Sequence, residues 1–198
     1  MLLLPLAACA WLPDVSPGPP PRTVAEALPA APSGPAGLAL LVETGGTRSL
    51  FRLIQQNGDQ RLWRSEGGAV LATQGARVVA SAFGPVWLAA TRFDGPDPLD
   101  DPAALLFRPG EARRIVDLSS PDRDPATMLF GVVVECRLAA QPVIDAGREA
   151  ILVLEDCRGT GQAFPNRFWA DRQDGRIYRS EQWVGGAVPL VLSISRWP

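Results

Sequence analysis

The stretch Val132-Val-Val-Glu135-Cys136-Arg137-Leu-Ala-Ala-Gln-Pro142-Val-Ile-Asp145-Ala146-Gly147-Arg148-Glu-Ala-Ile-Leu-Val-Leu-Glu155-Asp156-Cys157-Arg158 reads as two strands folded back on a tight turn. Setting Cys136 opposite Cys157 in an antiparallel pair places Glu135 against Arg158, Arg137 against Asp156 and Asp145 against Arg148, each a pair of opposite charge. A slip of one residue loses that match and reverses which faces are apolar, so one long hairpin turning at Ala146-Gly147 is expected. Pro142 has no ladder donor and belongs at an edge side or a bulge.

Outward from this hairpin the chain keeps the same texture: short apolar or alternating segments separated by Gly, Pro, Asn and Asp. Strands are expected near 38–43, 48–56, 60–65, 69–73, 76–81, 85–93, 112–119, 127–139, 149–157, 166–171, 176–183 and 188–196. No window offers a long amphipathic helix. A short one is expected around 101–107, opened by the Asp100-Asp101-Pro102 signal. The fold class is therefore all-β, a mostly antiparallel meander forming a curved sheet or open β-barrel with little helix. Arg61-Leu-Trp63-Arg64-Ser65-Glu66 returns as Arg176-Ile-Tyr178-Arg179-Ser180-Glu181, two hairpin arms of similar design.

The whole chain has 198 residues, 46% hydrophobic and 20% charged with a formal net charge of −2, enough for one globular domain with a sizeable core. Acidic and basic residues are interspersed, which argues against nucleic acid as a partner. Histidine is absent, and all 19 basic residues are arginine. That removes Ser-His-Asp and Cys-His machinery, zincin helices, the P-loop lysine and Schiff-base lysines. Composition thus tilts against an enzyme and implies no cofactor.

The start, Met1-Leu-Leu-Leu-Pro-Leu6-Ala7-Ala8-Cys9, is too short to span a bilayer and ends in small residues before a cysteine. Leu6-Ala7-Ala8-Cys9 resembles a bacterial lipobox, although no basic segment precedes it; a misplaced start codon that clipped the basic end would account for this. Residues 1–8 are read as a lipoprotein signal peptide, Cys9 as the acylated residue, and 9–37, rich in proline and alanine, as an extended tether to a single β domain over 38–198. An exported chain leaves Cys136 and Cys157 as a pair in an oxidising compartment, and a disulfide between them is expected.

The acidic run Asp94, Asp97, Asp100 and Asp101 lacks EF-hand spacing and reads as an exposed turn, so no metal site is expected. Glu135, Glu155 and Asp156 could form a glycosidase pair, but the arginines opposite two of them favour surface salt bridges. No catalytic residue is assigned. The C-terminal third is the most distinctive: Asn166, Trp169, Asp171, Tyr178, Ser180 and Gln182 put aromatic rings beside amide and carboxylate groups, which reads either as a surface on which sugars stack and hydrogen-bond or, as strand aromatics more often do, as a motif that closes the core. On the last hairpin, alternation puts Ile177, Arg179, Glu181 and Trp183 on one face and Tyr178, Ser180 and Gln182 on the other.

These same residues carry a resemblance. Asn166-x-Phe168-Trp169-x-Asp171, Gly175, Tyr178 and Ser180-x-Gln182, with Trp63-Arg-Ser65, Leu71-Ala-Thr73 and Arg77-Val-Val-Ala-Ser81-Ala-Phe-Gly84, resemble the YjbF/GfcB-type group 4 capsule polysaccharide lipoproteins. Phe168 stands where that family has Tyr. The resemblance implies a lipid-anchored outer-membrane protein on the periplasmic face that assists assembly or export of a capsule or exopolysaccharide. It would act without catalysis, by binding secretion proteins of the same gene cluster or the polysaccharide itself. The rival reading is a periplasmic carbohydrate-active enzyme using an Asp/Glu pair.

Overall fold

A computed structural model describes residues 38–159 and 161–196; the expected signal peptide, Cys9 and the tether lie outside the described residues. Twelve strands follow in order: β1 Leu38–Thr44, β2 Thr47–Asn57, β3 Gln60–Ser65, β4 Val70–Gln74, β5 Arg77–Ala82, β6 Trp87–Phe93, β7 Gly110–Ser119, β8 Leu129–Asp145, β9 Arg148–Gly159, β10 Gln162–Asp171, β11 Ile177–Gln182 and β12 Leu190–Arg196. All twelve expected strands form. The expected helix does not: Pro98–Asp100 and Ala104–Leu106 are separate single 3₁₀ turns in the β6–β7 connection. Asp97 and Asp101 spend their carboxylates on the nearby Leu99 and Ala104 amides, caps with too little apolar periodicity behind them to extend a helix.

The strands form one antiparallel sheet in the order β5-β4-β3-β2-β1-β12-β11-β10-β9-β8-β7-β6. The first of these strands is paired with the last, Leu38 opposite Arg196, so β1 and β12 lie side by side in mid-sheet. The sheet's two free edges, β5 and β6, are consecutive in sequence, and the sheet curls until they approach: Leu88 N–H donates to Ser81 Oγ at 3.2 Å. The result is a nearly closed barrel whose single seam is bridged by a side chain rather than by a ladder. Gly185, in the β11–β12 connection, lies over this seam with φ +101°; a Cβ there would come within 2.8 Å of Val86 Cγ1 and 3.0 Å of Leu118 Cδ2.

The β8–β9 register is the one expected, with Cys136 opposite Cys157, Glu135 opposite Arg158, Arg137 opposite Asp156 and Asp145 opposite Arg148. Its two-residue turn has φ 50° at Ala146 and 81° at Gly147, the primed geometry whose twist matches a hairpin. Inward-facing side chains pack Phe51, Trp63, Leu71, Leu138, Ile151 and Phe168 into the core. Alternation along each strand accounts for this; polar residues between them face water.

Candidate functional site

Several inward positions hold polar groups where the pattern demands apolar ones. Glu155 lies on β9 in phase with Ile151, Val153 and Cys157, and is fully buried. It was expected in a surface salt bridge; instead it is the hub of an interior network. Arg77, the first residue of β5, donates through Nη2 to Glu155 Oε1 at 2.7 Å and through Nη1 to Oε2 at 3.0 Å, a bidentate pair across the barrel. Arg114 of β7 reaches Oε1 at 3.5 Å, and Asn166 Nδ2 of β10 donates to Oε2 at 2.6 Å. Asp97, expected in an exposed turn, holds the other side of Arg77: Nη2 donates to Oδ1 at 2.9 Å and Nε to Oδ2. Two guanidiniums thus meet two carboxylates.

Burial pushes the Glu155 carboxyl up, but the facing Arg77 and Arg114 outweigh that and hold it below the ordinary carboxylate range. Burial likewise acts to lower Arg77, and Glu155 with Asp97 reverses it, so the guanidinium stays charged. Every Glu155 oxygen is occupied. The carboxyl is therefore committed to a charge network and is not poised to exchange a proton with a ligand.

Three of the six expected site residues belong to this interior. Asn166 completes its amide by accepting from Trp183 N–H at 2.7 Å. Gln182 accepts from Val78 N–H at 3.0 Å and donates to Ala76 O at 2.8 Å and Ser180 Oγ at 2.9 Å. Gln182 thereby satisfies one backbone group of β5, an edge strand of the sheet, and one of the turn that leads into it. Asn166, Ser180 and Gln182 are all buried.

The other three lie on the outer face of the sheet, where Trp169 is nevertheless buried, at 8% exposure, and offers no open ring for a sugar to stack on. Trp169 packs beneath Arg179, whose guanidinium carbon sits 3.9 Å from the ring centroid. Tyr178 lies under Arg148 at 3.7 Å and donates its hydroxyl to Asp145 Oδ2 at 2.8 Å, while Arg179 Nη1 donates to Asp145 Oδ1 at 3.3 Å. Asp171 accepts from Gln173 N–H at 2.8 Å and orders the β10–β11 turn. Partial burial and Asp145 both raise the Tyr178 phenol, keeping it a hydrogen donor. The expected grouping of Tyr178 with Ser180 and Gln182 is corrected here. A β-bulge sets Trp169 opposite Arg179 and Ala170 opposite Ile177, leaving Tyr178 as the extra residue. It turns to the outer face with Arg179, and Ile177 swings in against the core.

Sequence reasoning missed Arg77, Arg114, Asp97 and Asp145. Parity held a signal for one of them, since Arg114 alternates in phase with Val116 and Leu118, as Glu155 does with its own apolar neighbours. Cys136 and Cys157 face each other with their sulfurs paired, and the Cys157 sulfur receives Asn166 Nδ2 at 3.6 Å and Arg114 Nη2 at 3.8 Å. With Glu155 they form the only candidate metal cluster among the described residues, but paired thiols beside two guanidiniums do not suit a cation.

A family model described as group 4 capsule polysaccharide lipoprotein gfcB, YjbF matches residues 32–193. The fold is also that of the hypothetical lipoprotein YmcC from Escherichia coli K12, with a TM-score of 0.65 at 20% identity over 80% of this chain and 83% of that one. No curated protein matches the chain.

Proposed function

Since the chain belongs to the group 4 capsule polysaccharide lipoprotein family, we propose that it is held in the outer membrane through an acylated Cys9, facing the periplasm, and assists assembly or export of a capsule or exopolysaccharide without catalysis. It acts by binding the glycan or a secretion protein of the same gene cluster. The observation that carries the non-catalytic part is the state of Glu155: the most deeply buried carboxylate is locked by two arginines and an asparagine, which builds a rigid interior and leaves it no proton to trade. The outer cluster of Trp169, Tyr178, Arg148 and Arg179 supports a role in contact, since each guanidinium is pre-oriented on a ring.

The test is a deletion strain complemented with wild type or Cys9→Ala. Deletion should abolish surface polysaccharide, and the variant should leave the membrane fraction and fail to restore it. Export that persists in the deletion strain overturns the reading, and turnover of the purified glycan by the protein overturns its non-catalytic part.

A further inference from the structure

A slot at one end of the barrel has an unmet hydrogen-bonding demand of a single kind. It opens where the β2–β3, β4–β5 and β10–β11 turns lie, between Arg61, Thr73 and Gly75 on one side and Ile177, Tyr178 and Ser180 on the other. Arg61 and Thr73 are cross-strand partners in register, on the inward face that also carries Trp63. Arg61 Nε is buried with no hydrogen-bond partner. Thr73 Oγ1 accepts from Trp63 Nε1 at 3.0 Å, and Ser180 Oγ accepts from Gln182 Nε2 at 2.9 Å. Both hydroxyl hydrogens are therefore left to donate, and neither has an acceptor among the described residues.

Three donors thus face a space with no carboxylate in its lining; Arg179 also borders it, but its guanidinium is turned to the outer face and paired with Asp145 and Glu181, which leaves Arg61 as the cation of the slot. A lone water answers this poorly, because it brings two hydrogens that need acceptors of their own. A carboxylate brings only acceptors, with lone pairs for several donors at once, and a buried donor without a partner favours any group that meets it. The free volume is about 30 Å³, room for a carboxylate or a water or two but not for a sugar ring. Ile194, 41% exposed at the lip, offers an apolar surface to the rest of a ligand that stays outside.

We propose that this slot is a subsite for the carboxylate of an acidic sugar residue, such as a uronic acid, in a polysaccharide. The proposal rests on the glycan-binding branch of the function above and names its substrate class. Arg61 Nε, with the Thr73 and Ser180 hydroxyls, takes the carboxylate oxygens; the ring lies across the lip.

The full chain is titrated calorimetrically with trigalacturonate, with maltotriose as the neutral control and sodium acetate as the small-anion control. Trigalacturonate should bind, and Arg61→Met and Thr73→Val should each weaken it at least tenfold; Arg61→Met should keep a thermal midpoint near wild type, whereas Thr73→Val should lower it, because valine leaves the buried Trp63 Nε1–H without an acceptor. Each titration is run at a temperature where the variant's own unfolding curve shows it fully folded, so that lost binding is not lost fold. No binding of trigalacturonate, equal binding of maltotriose, or undiminished binding by both variants overturns the subsite. Acetate binding as tightly as the trisaccharide makes it a small-anion site and overturns the glycan assignment. Normal export by an Arg61→Met strain, where deletion abolishes export, sinks the subsite and spares the wider function; normal export by the deletion strain sinks the wider function.

Discussion

Glu155 and Gln182 are small parts of the chain with long reach: one ties β9 to β5 and β7, the other ties β11 to the backbone of β5. Glu155→Gln leaves Arg77 and Arg114 facing each other in the interior with one carboxylate fewer, and should cost about 3–5 kcal/mol in urea unfolding at neutral pH. The acid dependence has a definite sign. Because the folded-state carboxyl is held below its unfolded value, its stabilisation is present above the ordinary carboxylate range and lost as pH falls through the depressed folded value. Wild type should therefore lose stability on acidification through that window, and Glu155→Gln should show a flatter dependence; equal slopes would remove Glu155 as the cause. Gln182→Ala leaves Val78 N–H and Ala76 O without partners and should cost about 1–3 kcal/mol, read from the same unfolding curves. An unchanged midpoint would mean that Gln182 is not a clamp. That these polar residues point inward was legible in their parity. Their partners were not, since Arg77 and Glu155 stand 78 residues apart and the sequence pattern carries no information on which strands curl to face each other.

At the scale of elements, the β8–β9 hairpin was the most legible part of the molecule, because a turn pair, two cysteines and three opposed charges all demanded one register. The charges serve register more than stability: Arg137 lies 3.6 Å from Glu111 of β7, Asp145 pairs with Arg179 of β11 and Arg148 lies 3.9 Å from Asp171 of β10, so the ion pairs that form run to other strands. Non-reducing peptide mapping should recover Cys136 and Cys157 in one linked pair of peptides. The double variant Cys136→Ala/Cys157→Ala should lose about 3 kcal/mol, the loop-closure value for a separation of 21 residues. Separate peptides with free thiols would refute the bond. The last hairpin was legible only in part. Its strands were placed, but the bulge at Tyr178 leaves no mark in an alternating pattern, and one extra residue is enough to send an aromatic ring to the opposite face.

At the scale of the whole molecule, alternation and turn residues sufficed for an all-β meander, whereas closure depends on pairing β1 with β12, a contact between the two ends of the domain that no local signal announces. The seam between β5 and β6 is bridged by one side chain, Ser81 on Leu88 N–H, with the Val78 N–H of β5 met only by Gln182 of β11, and it should be where the barrel opens first. In native-state hydrogen exchange the Val78 and Leu88 amides should exchange well before those of β9, which is paired on both sides, and Ser81→Ala should accelerate Leu88 further. Uniform protection across β5, β6 and β9 would count against the seam.

The sealing of β1 against β12 also sets a timetable for the newborn chain. Synthesis delivers β1 to β5 first, and that half can zip into a meander on its own, but the apolar edge Leu38-Ala-Leu-Leu-Val42 then waits without a neighbour until the final strand is made. A chain cut within 83–86 and rejoined end to end would run β6 to β12 and on through β1 to β5, each strand arriving beside its predecessor with no wait at all. The natural order instead makes β12 a latch, and a ribosome that stops short of it releases a barrel split down its middle, its stickiest edge bare.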